Sequence, residues 1–398
     1  MSRVGWNRHN KKMKIIQINT SSSSFDVADF ESVLDKGWYA QVAYQLKKAY
    51  PKLEIECWTP ERKYKKEVQK KVNDVLIRIF PSTIAVRNGM EISVPMIRAL
   101  IEEQKKVSNE KLILHLHEYH SWQAYSLLLF ADKEKTRITA QHHGGRSPFR
   151  NLKKYKRLFV FLPALIMMQF FENLLFKKVD TFYPLSDEEA KYIENLARKS
   201  EKKFLTMGIG DKYFKKFNKE KIRKKLKLDL KKKYILYLGR IKSTKGIKEL
   251  LDSIGKFENE DLELLLVGEG SDSEKYKNYL VENGIKNARF LGAIYGDAKL
   301  DYLAACNCLI LPSYTEGAPV VLMEAIARNL PVIATNVGGI PKMIKGGREG
   351  IIIKPKSKDD IVRAIKEILK WKKKSISEFA EKYKWGKIIK ETLADYKR

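Results

Sequence analysis

Short apolar runs alternate with helix-patterned stretches along this chain, and the alternation starts twice. The first series reads "MKIIQIN" (13–19), "LEIECWT" (53–59), "VLIRIF" (75–80), "KLILHLH" (111–117), "TRITAQHH" (136–143) and "TFYPLS" (181–186), with a helix expected at 37–49. The second reads "KYILYLGR" (233–240), "LELLLVGEG" (262–270), "ARFLGAI" (288–294), "CLILPS" (308–313), "PVIATN" (331–336) and "GIIIKP" (350–355). Runs this short and apolar read as strands buried on both faces, and strands separated by helices pair in parallel. The expected class is α/β: two doubly wound, parallel-sheet units joined by a very basic segment at about 205–232.

Ligands of such sheets bind beyond the C-terminal strand ends. Two units facing each other would enclose a cleft there, and most of the unusual residues follow strands. Lys+Arg is 78 against Asp+Glu 48, a net charge of +30. That excess attracts nucleic acid, anionic membrane or phosphorylated small molecules. A 44% hydrophobic content excludes a disordered or fibrous chain. Cys57, Cys306 and Cys308 frame no disulfide, suit a reducing cytoplasm, and read as small buried residues. Residues 1–12, "MSRVGWNRHNKK", read as a basic extension, without the apolar stretch of a signal peptide.

"YLGRIKSTKG" (237–246) ends a strand at Gly239 and then offers Arg240 and Lys245. A planar guanidinium and an ammonium on one strand-to-helix loop can both reach a diphosphate. The loop is not a Walker A motif. "VGEG" places Gly268 in a second turn, where Asp272 and Ser273 break any G-x-G-x-x-G and count against a nicotinamide site. "EGAPVVLME" (316–324) brackets a helix start between Glu316 and Glu324. Pro319 or its neighbour begins a helix running to about Asn329, whose first N–H groups form an anion site. Gly317 and Ala318 keep the approach open. Glu324 leans back toward the helix N-terminus, where a ribose hydroxyl suits it better than phosphate. Glu316 suits sugar hydroxyls on the other side. Taken singly, these stretches also read as tight turns, a capping Glu316 and a solvated Glu324.

Together "YLGRIKSTKG", "LLLVGEG", "ARFLGA" and "LILPSYTEGAPVVLMEAIARNLPVIATNVGGIP" resemble the nucleotide-sugar-binding half of the family 4 (group 1) glycosyltransferases, in strict order over about 233–355. The resemblance implies the GT-B fold: two Rossmann-like domains facing a central cleft. Residues 13–205 with 380–398 would bind the acceptor, and 206–379 the donor. Arg240 and Lys245 would hold the donor diphosphate and stabilise the departing nucleotide. Glu316 and the Gly317–Pro319 backbone would hold the sugar, with Gly239 and Gly268 lining the donor site. The N–H groups of Val320 and Val321 would face the phosphates, Glu324 the ribose, and Ala293 and Ile294 the base. In the first half, "LILHLHEYH" resembles a strand ending in a cleft histidine, which His117 fits best, with His115 one residue pair earlier. "QHHGG" (141–145) resembles the next strand end, where His142 or His143 would face the acceptor. Gly37 stands where the family usually has a glycine pair near the phosphates. "MGIGD" (207–211) departs from the family pattern at Met207 and Gly210, so Asp211 receives no role. "YKWGKIIKETLADY" (383–396) resembles the closing helix that returns to the first domain.

The activity implied is retaining transfer from a UDP- or GDP-linked sugar to an acceptor hydroxyl, with no cofactor and no divalent metal. No Asp-x-Asp lies at a suitable strand end and no covalent nucleophile is evident, which favours front-face displacement. "LFVFLPALIMMQFF" (158–171) has 14 uncharged residues behind Lys153, Lys154, Lys156 and Arg157 and ahead of Lys177 and Lys178. It falls short of the ~20 residues a bilayer span needs. A core helix and an interfacial anchor with basic flanks both fit it; the net charge and the lysine-rich joint at 212–233 together favour the anchor. The expected acceptor is therefore a lipid-linked or cell-surface glycan, reached from the cytoplasm or the cytoplasmic face of the membrane. A nucleotide-sugar epimerase of similar fold is the alternative. A nucleic-acid partner is not expected, because it leaves Arg240, Lys245 and the glutamates without a purpose.

Overall fold

Residues 13–20, 37–85, 91–108, 110–143, 162–258, 260–371 and 375–398 are described by the structure, a computed structural model. The extension at 1–12, Gly144, Gly145 and residues 158–161 lie outside these. The chain divides into two units, one running to Leu205 and resuming at Ile389–Arg398, the other Thr206–Ile388.

In the first unit the strands are β1 (Lys14–Asn19), β2 (Glu54–Glu61), β3 (Val68–Val72), β4 (Val75–Pro81), a small pair β5 (Ile84–Ala85) and β6 (Glu91–Ile92), then β7 (Leu112–His117), β8 (Thr136–Gln141), β9 (Thr181–Tyr183) and β10 (Glu201–Lys202). The main sheet runs β10-β9-β8-β7-β1-β2-β4-β3. Only the β3–β4 pair within it is antiparallel. The order reverses between β1 and β7, where Asn19 pairs with His117 at the C-terminal ends. Both strands are almost wholly buried, as continuous apolar runs require. Serine caps start the flanking helices: Ser93 accepts from Met96, Ser121 from Ala124 and Ser186 from Glu189. Each such cap satisfies an otherwise orphaned N–H, worth about 1 kcal/mol.

The second unit holds β11 (Lys233–Leu238), β12 (Leu262–Val267), β13 (Ala288–Phe290), β14 (Cys308–Leu311), β15 (Val332–Thr335) and β16 (Gly350–Ile353), all parallel, in the order β13-β12-β11-β14-β15-β16. Its switch point lies between β11 and β14. The α/β class and the paired doubly wound sheets are therefore as the sequence indicates. The returning segment is shorter than the expected 380–398. Residues through Ile388 stay with the second unit because Ile209 donates to the Tyr383 carbonyl and Trp385 to that of Ile209. A Cβ on Gly208 would sit 2.5 Å from the Trp385 ring.

The apolar run forms the helix Leu162–Leu175. It is neither wholly core nor wholly surface. Phe171 packs against Trp122 and Tyr125, and Leu175 is buried. Ile166, Met167, Phe170 and Leu174 face outward, with Ile166 and Phe170 each 61% exposed. No helix among the described residues is long and apolar enough to cross a membrane. Cys57, Cys306 and Cys308 are free and buried, and burial pushes their thiols up.

Candidate active site

The loops after β11 and β14 meet at the switch point of the second sheet. Gly246 makes this approach: its φ is +67°, and a Cβ there would lie 2.1 Å from the Pro312 carbonyl oxygen. The contact brings Lys245 to Glu316, with Nζ 2.6 Å from Oε1. Ser313 Oγ donates to the same oxygen at 2.6 Å, and Thr335 Oγ1 ties down the Ser313 carbonyl. One carboxylate and one ammonium are thus held at the crevice an open α/β sheet offers to ligands. Arg240 is exposed, and its guanidinium takes no hydrogen bond or ion pair among the described residues. Tyr237 donates to the Arg240 carbonyl and so holds the backbone while the side chain stays free.

Gly239, Gly268 and Gly292 line the next strand ends. Gly239 donates to Val267, and Gly268 to Gly292. Gly268 has φ +141°, and a Cβ there would lie 1.9 Å from the Gly239 carbonyl oxygen. Only glycine fits such a contact. Ala293 and Ile294 follow on the partly buried chain after β13, where Ala293 N–H points toward Glu269. Past β14, Gly317 accepts from Gly339, and the backbone at Glu316 lies so close to Gly338 (φ +57°) that a Cβ would meet the Glu316 oxygen at 1.9 Å. The helix Val320–Ala327 starts after Pro319 with no side-chain cap. Glu316 is therefore not its cap, and the first-turn amides of Val320 and Val321 have no side chain accepting from them, half-exposed like Ala318 and Pro319. Glu324 is not solvated: it is 5% exposed, with Lys299 Nζ 2.5 Å from Oε2 and the Tyr213 hydroxyl beside it. Lys299 and Tyr213 lie outside the quoted motifs, and Ser313 lies within "LILPSYTEGAP" with no role that the sequence alone assigns. The described part of this unit also holds a cavity of about 750 Å³, lined by Lys233, Asn307 and Pro331 among others. It sits at the N-terminal strand ends, opposite the loops just described.

In the first unit, His117 does not stand open. It is fully buried, with Nδ1 2.7 Å from His143 Nε2 and Nε2 2.8 Å from Gln17 Oε1. His115, His117, His143 and Trp38 stack in sequence, with centroid spacings of 4.3, 5.0 and 4.9 Å. His143 is the outer histidine, half-buried beneath Trp38. Gly37 precedes that tryptophan at an uncapped helix start, Trp38–Ala49. Burial pushes His115 down to about 3 and holds His117 and His143 well below the usual imidazole range, so all three are neutral. His142 points elsewhere: Nδ1 lies 2.9 Å from Glu189 Oε1 and Nε2 3.6 Å from Glu118. Glu189 also accepts from Tyr119 and Leu185, and these partners hold its carboxyl down at about 2 despite burial. Next to it His120, Tyr125 and Tyr192 share the buried Glu172. Glu118 adopts φ +66° and accepts from the His143 N–H at 3.0 Å, a strained residue holding the β8 strand end.

Residues 218–384 match the family model described as glycosyl transferases group 1. That stretch belongs to this family. The group 1 stretch contains the β11 and β14 loops, both glycine turns and both glutamates. A Bacillus subtilis protein, provisionally named a teichuronic acid biosynthesis glycosyltransferase, is 36% identical over 149 residues, 37% of this chain and 36% of that protein. The chain spans between about a third and a half of the length of the curated relatives it matches first. Among solved structures, a sucrose-phosphate synthase from Thermosynechococcus elongatus superposes with TM-score 0.72 at 17% identity, covering 97% of this chain and 98% of that one. An Anabaena protein in complex with UDP gives 0.70 at 14% identity, covering 96% and 99%. These likenesses show the fold of the whole chain, GT-B.

Proposed function

We propose that this chain transfers a sugar from a nucleoside diphosphate sugar to an acceptor hydroxyl, with retention and without a divalent metal. The Lys245–Glu316 pair at the β11/β14 switch point, beside an uncapped helix start, carries the reading. It combines a cation for phosphate, a carboxylate for sugar hydroxyls and free amides within one pair of loops.

As the anomeric C–O bond breaks, negative charge grows on the diphosphate. Arg240, Lys245 and the Val320 and Val321 amides receive it. Preorganised donors of this kind are worth about 3–4 kcal/mol each in barrier height. Glu316 turns from Lys245 to the donor's hydroxyls, and Gly317, Ala318 and Pro319 leave its flank open. Glu324 takes the ribose, with Ala293 and Ile294 against the base. The departing phosphate accepts the acceptor's proton, so no protein nucleophile is required. His143, with His117 behind it and Gly37 beside Trp38, serves the first unit's side of the reaction. His142, paired to Glu189, shapes the acceptor site. Relatives of this fold solved with UDP and UDP-glucose favour a uridine donor.

The acceptor we propose is a lipid-linked or cell-surface glycan at the cytoplasmic face of the membrane. The outward ladder Ile166, Phe170 and Leu174, with Met167 beside it, supports this. Apolar residues at helical spacing, near Lys177, suit an anionic lipid surface.

A thermal-shift panel of nucleoside diphosphates and their sugars tests the donor, since bound ligand raises stability by mass action. The best hit is then offered with membrane extract. Stabilisation by one nucleotide series followed by transfer is the expected result. No shift with any nucleotide sinks the reading, and donor turnover without acceptor would replace it with the epimerase.

A further inference from the structure

Asp272 breaks the glycine pattern of the loop after β12, and its side chain has another employment. It occupies the N-cap position of the helix Ser273–Glu282, yet it accepts from none of that helix's N–H groups. A capping aspartate ordinarily bonds the second or third amide of its own helix. Here the carboxylate turns the other way, and Oδ2 accepts the Ser243 N–H at 2.6 Å. Ser243 opens the single 3₁₀ turn Ser243–Lys245 in the loop after β11, and Lys242 before it supplies no side-chain cap. That turn carries Lys245. The contact closes a longer seam between the two loops. Gly239 donates to Val267, Ile241 to Glu269, and the Asp272 N–H to the Ile241 carbonyl at 3.3 Å. A Cβ on Gly270 would lie 2.1 Å from that same carbonyl oxygen. On its other side the turn is held by the loop after β14, where the Tyr314 N–H donates to the Thr244 carbonyl at 2.9 Å. Ser271 Oγ donates to Asp272 Oδ1 at 3.1 Å. The Ser243 N–H holds the Asp272 carboxyl below its ordinary range, so it stays ionised at neutral pH.

We propose that Asp272 is a positioning residue for the donor diphosphate: by pinning the Ser243 amide it fixes the turn from which Lys245, with Arg240 before it, meets phosphate. The consequence for the ligand rests on the transferase reading; the pinning does not. Charge alone predicts the opposite sign. A carboxylate one loop away from a diphosphate repels it, so removing that carboxylate should tighten binding. Only a geometric role makes its removal weaken binding. The role also belongs to one oxygen atom. An amide oxygen can accept the Ser243 N–H and a methyl group cannot, so asparagine should serve at this position and alanine should not. Both substitutions remove the charge, and the difference between them isolates the hydrogen bond.

Two measurements on the full-length chain separate the pinning from its consequence. Amide hydrogen exchange over residues 240–246, read by mass spectrometry, reports the turn without any ligand. Titration calorimetry with UDP, and with inorganic pyrophosphate as a probe lacking sugar and base, reports the diphosphate site. Asp272→Ala should speed exchange of this segment and weaken both ligands about fivefold to tenfold, the worth of one hydrogen bond. Asp272→Asn should keep wild-type exchange and bind both ligands within about twofold of wild type, since it keeps the accepting oxygen. Unchanged exchange in Asp272→Ala overturns the pinning. Faster exchange with affinity unchanged or raised overturns the positioning role. Asparagine as weak as alanine traces the effect to charge and overturns it too. Asp272 is half-buried and caps no helix, so both variants are expected to fold. Wild type gives a further check: exchange of this segment at the rate of an unstructured peptide overturns the pinning without any variant. Wild type that binds neither UDP nor pyrophosphate sinks the transferase reading, while the exchange data still decide the pinning.

Discussion

Lys245 and Glu316 are paired at 2.6 Å, each largely shielded from water. The pair places the cation proposed for the diphosphate on the carboxylate proposed for the sugar. Donor binding must therefore exchange one partner for another at both groups. Lys245→Ala should lower kcat/KM by about 10²–10³, the usual cost of one preorganised donor. Steady-state kinetics with the stabilising nucleotide sugar check this. A loss below threefold with intact folding would remove Lys245 from the chemistry.

Lys299→Met should destabilise the ligand-free second unit by about 2–4 kcal/mol, because it strands the buried Glu324 carboxylate. Adding Glu324→Gln should restore most of the loss. Urea melts of the two single variants and the double one measure the coupling.

Gly268→Ala and Gly338→Ala should each cost about 3 kcal/mol or more, since each Cβ would lie 1.9 Å from a carbonyl oxygen. Gly296→Ala is the control. It shares a positive φ, +62°, but a Cβ meets nothing within 4 Å. About 1 kcal/mol is expected there.

The histidine stack should make the first unit acid-labile. The unfolded chain protonates these rings below about pH 6.5, whereas the fold keeps them neutral. Stability is therefore complete above that pH and falls as pH drops toward the folded values, about 3 for His115. At pH 5, His115 alone accounts for roughly 2 kcal/mol. Glu189, held at about 2, adds loss in the same direction below about pH 4.5. Melting temperature between about pH 7 and pH 5 is the measurement; a flat profile contradicts the buried neutral stack.

Phe170→Asp should release the protein from vesicles containing anionic lipid. Cosedimentation reads the effect, and an unchanged bound fraction removes this helix face from membrane binding.

The sequence made the second sheet and its loops legible because strand-end glycines and the Glu316–Glu324 spacing are local signals. Glu324's partners were not, since Lys299 and Tyr213 come from elements with no pattern of their own. His115 and His117 alternate onto one sheet face, yet the sequence put His117 in the cleft, whereas the structure buries both. Which histidine ends outermost depends on β8 and on Tyr396, which is 281 residues away from His115. The return point also escaped: the Trp385 ring is seated on Gly208, a contact no local pattern announces.

The three buried thiols give the molecule a built-in clock. Cys57 sits in the first unit and Cys306 and Cys308 in the second. None can meet an alkylating reagent until its own surroundings open. Mapping which cysteine is modified first would thus show which half of the chain loosens first, with no label introduced.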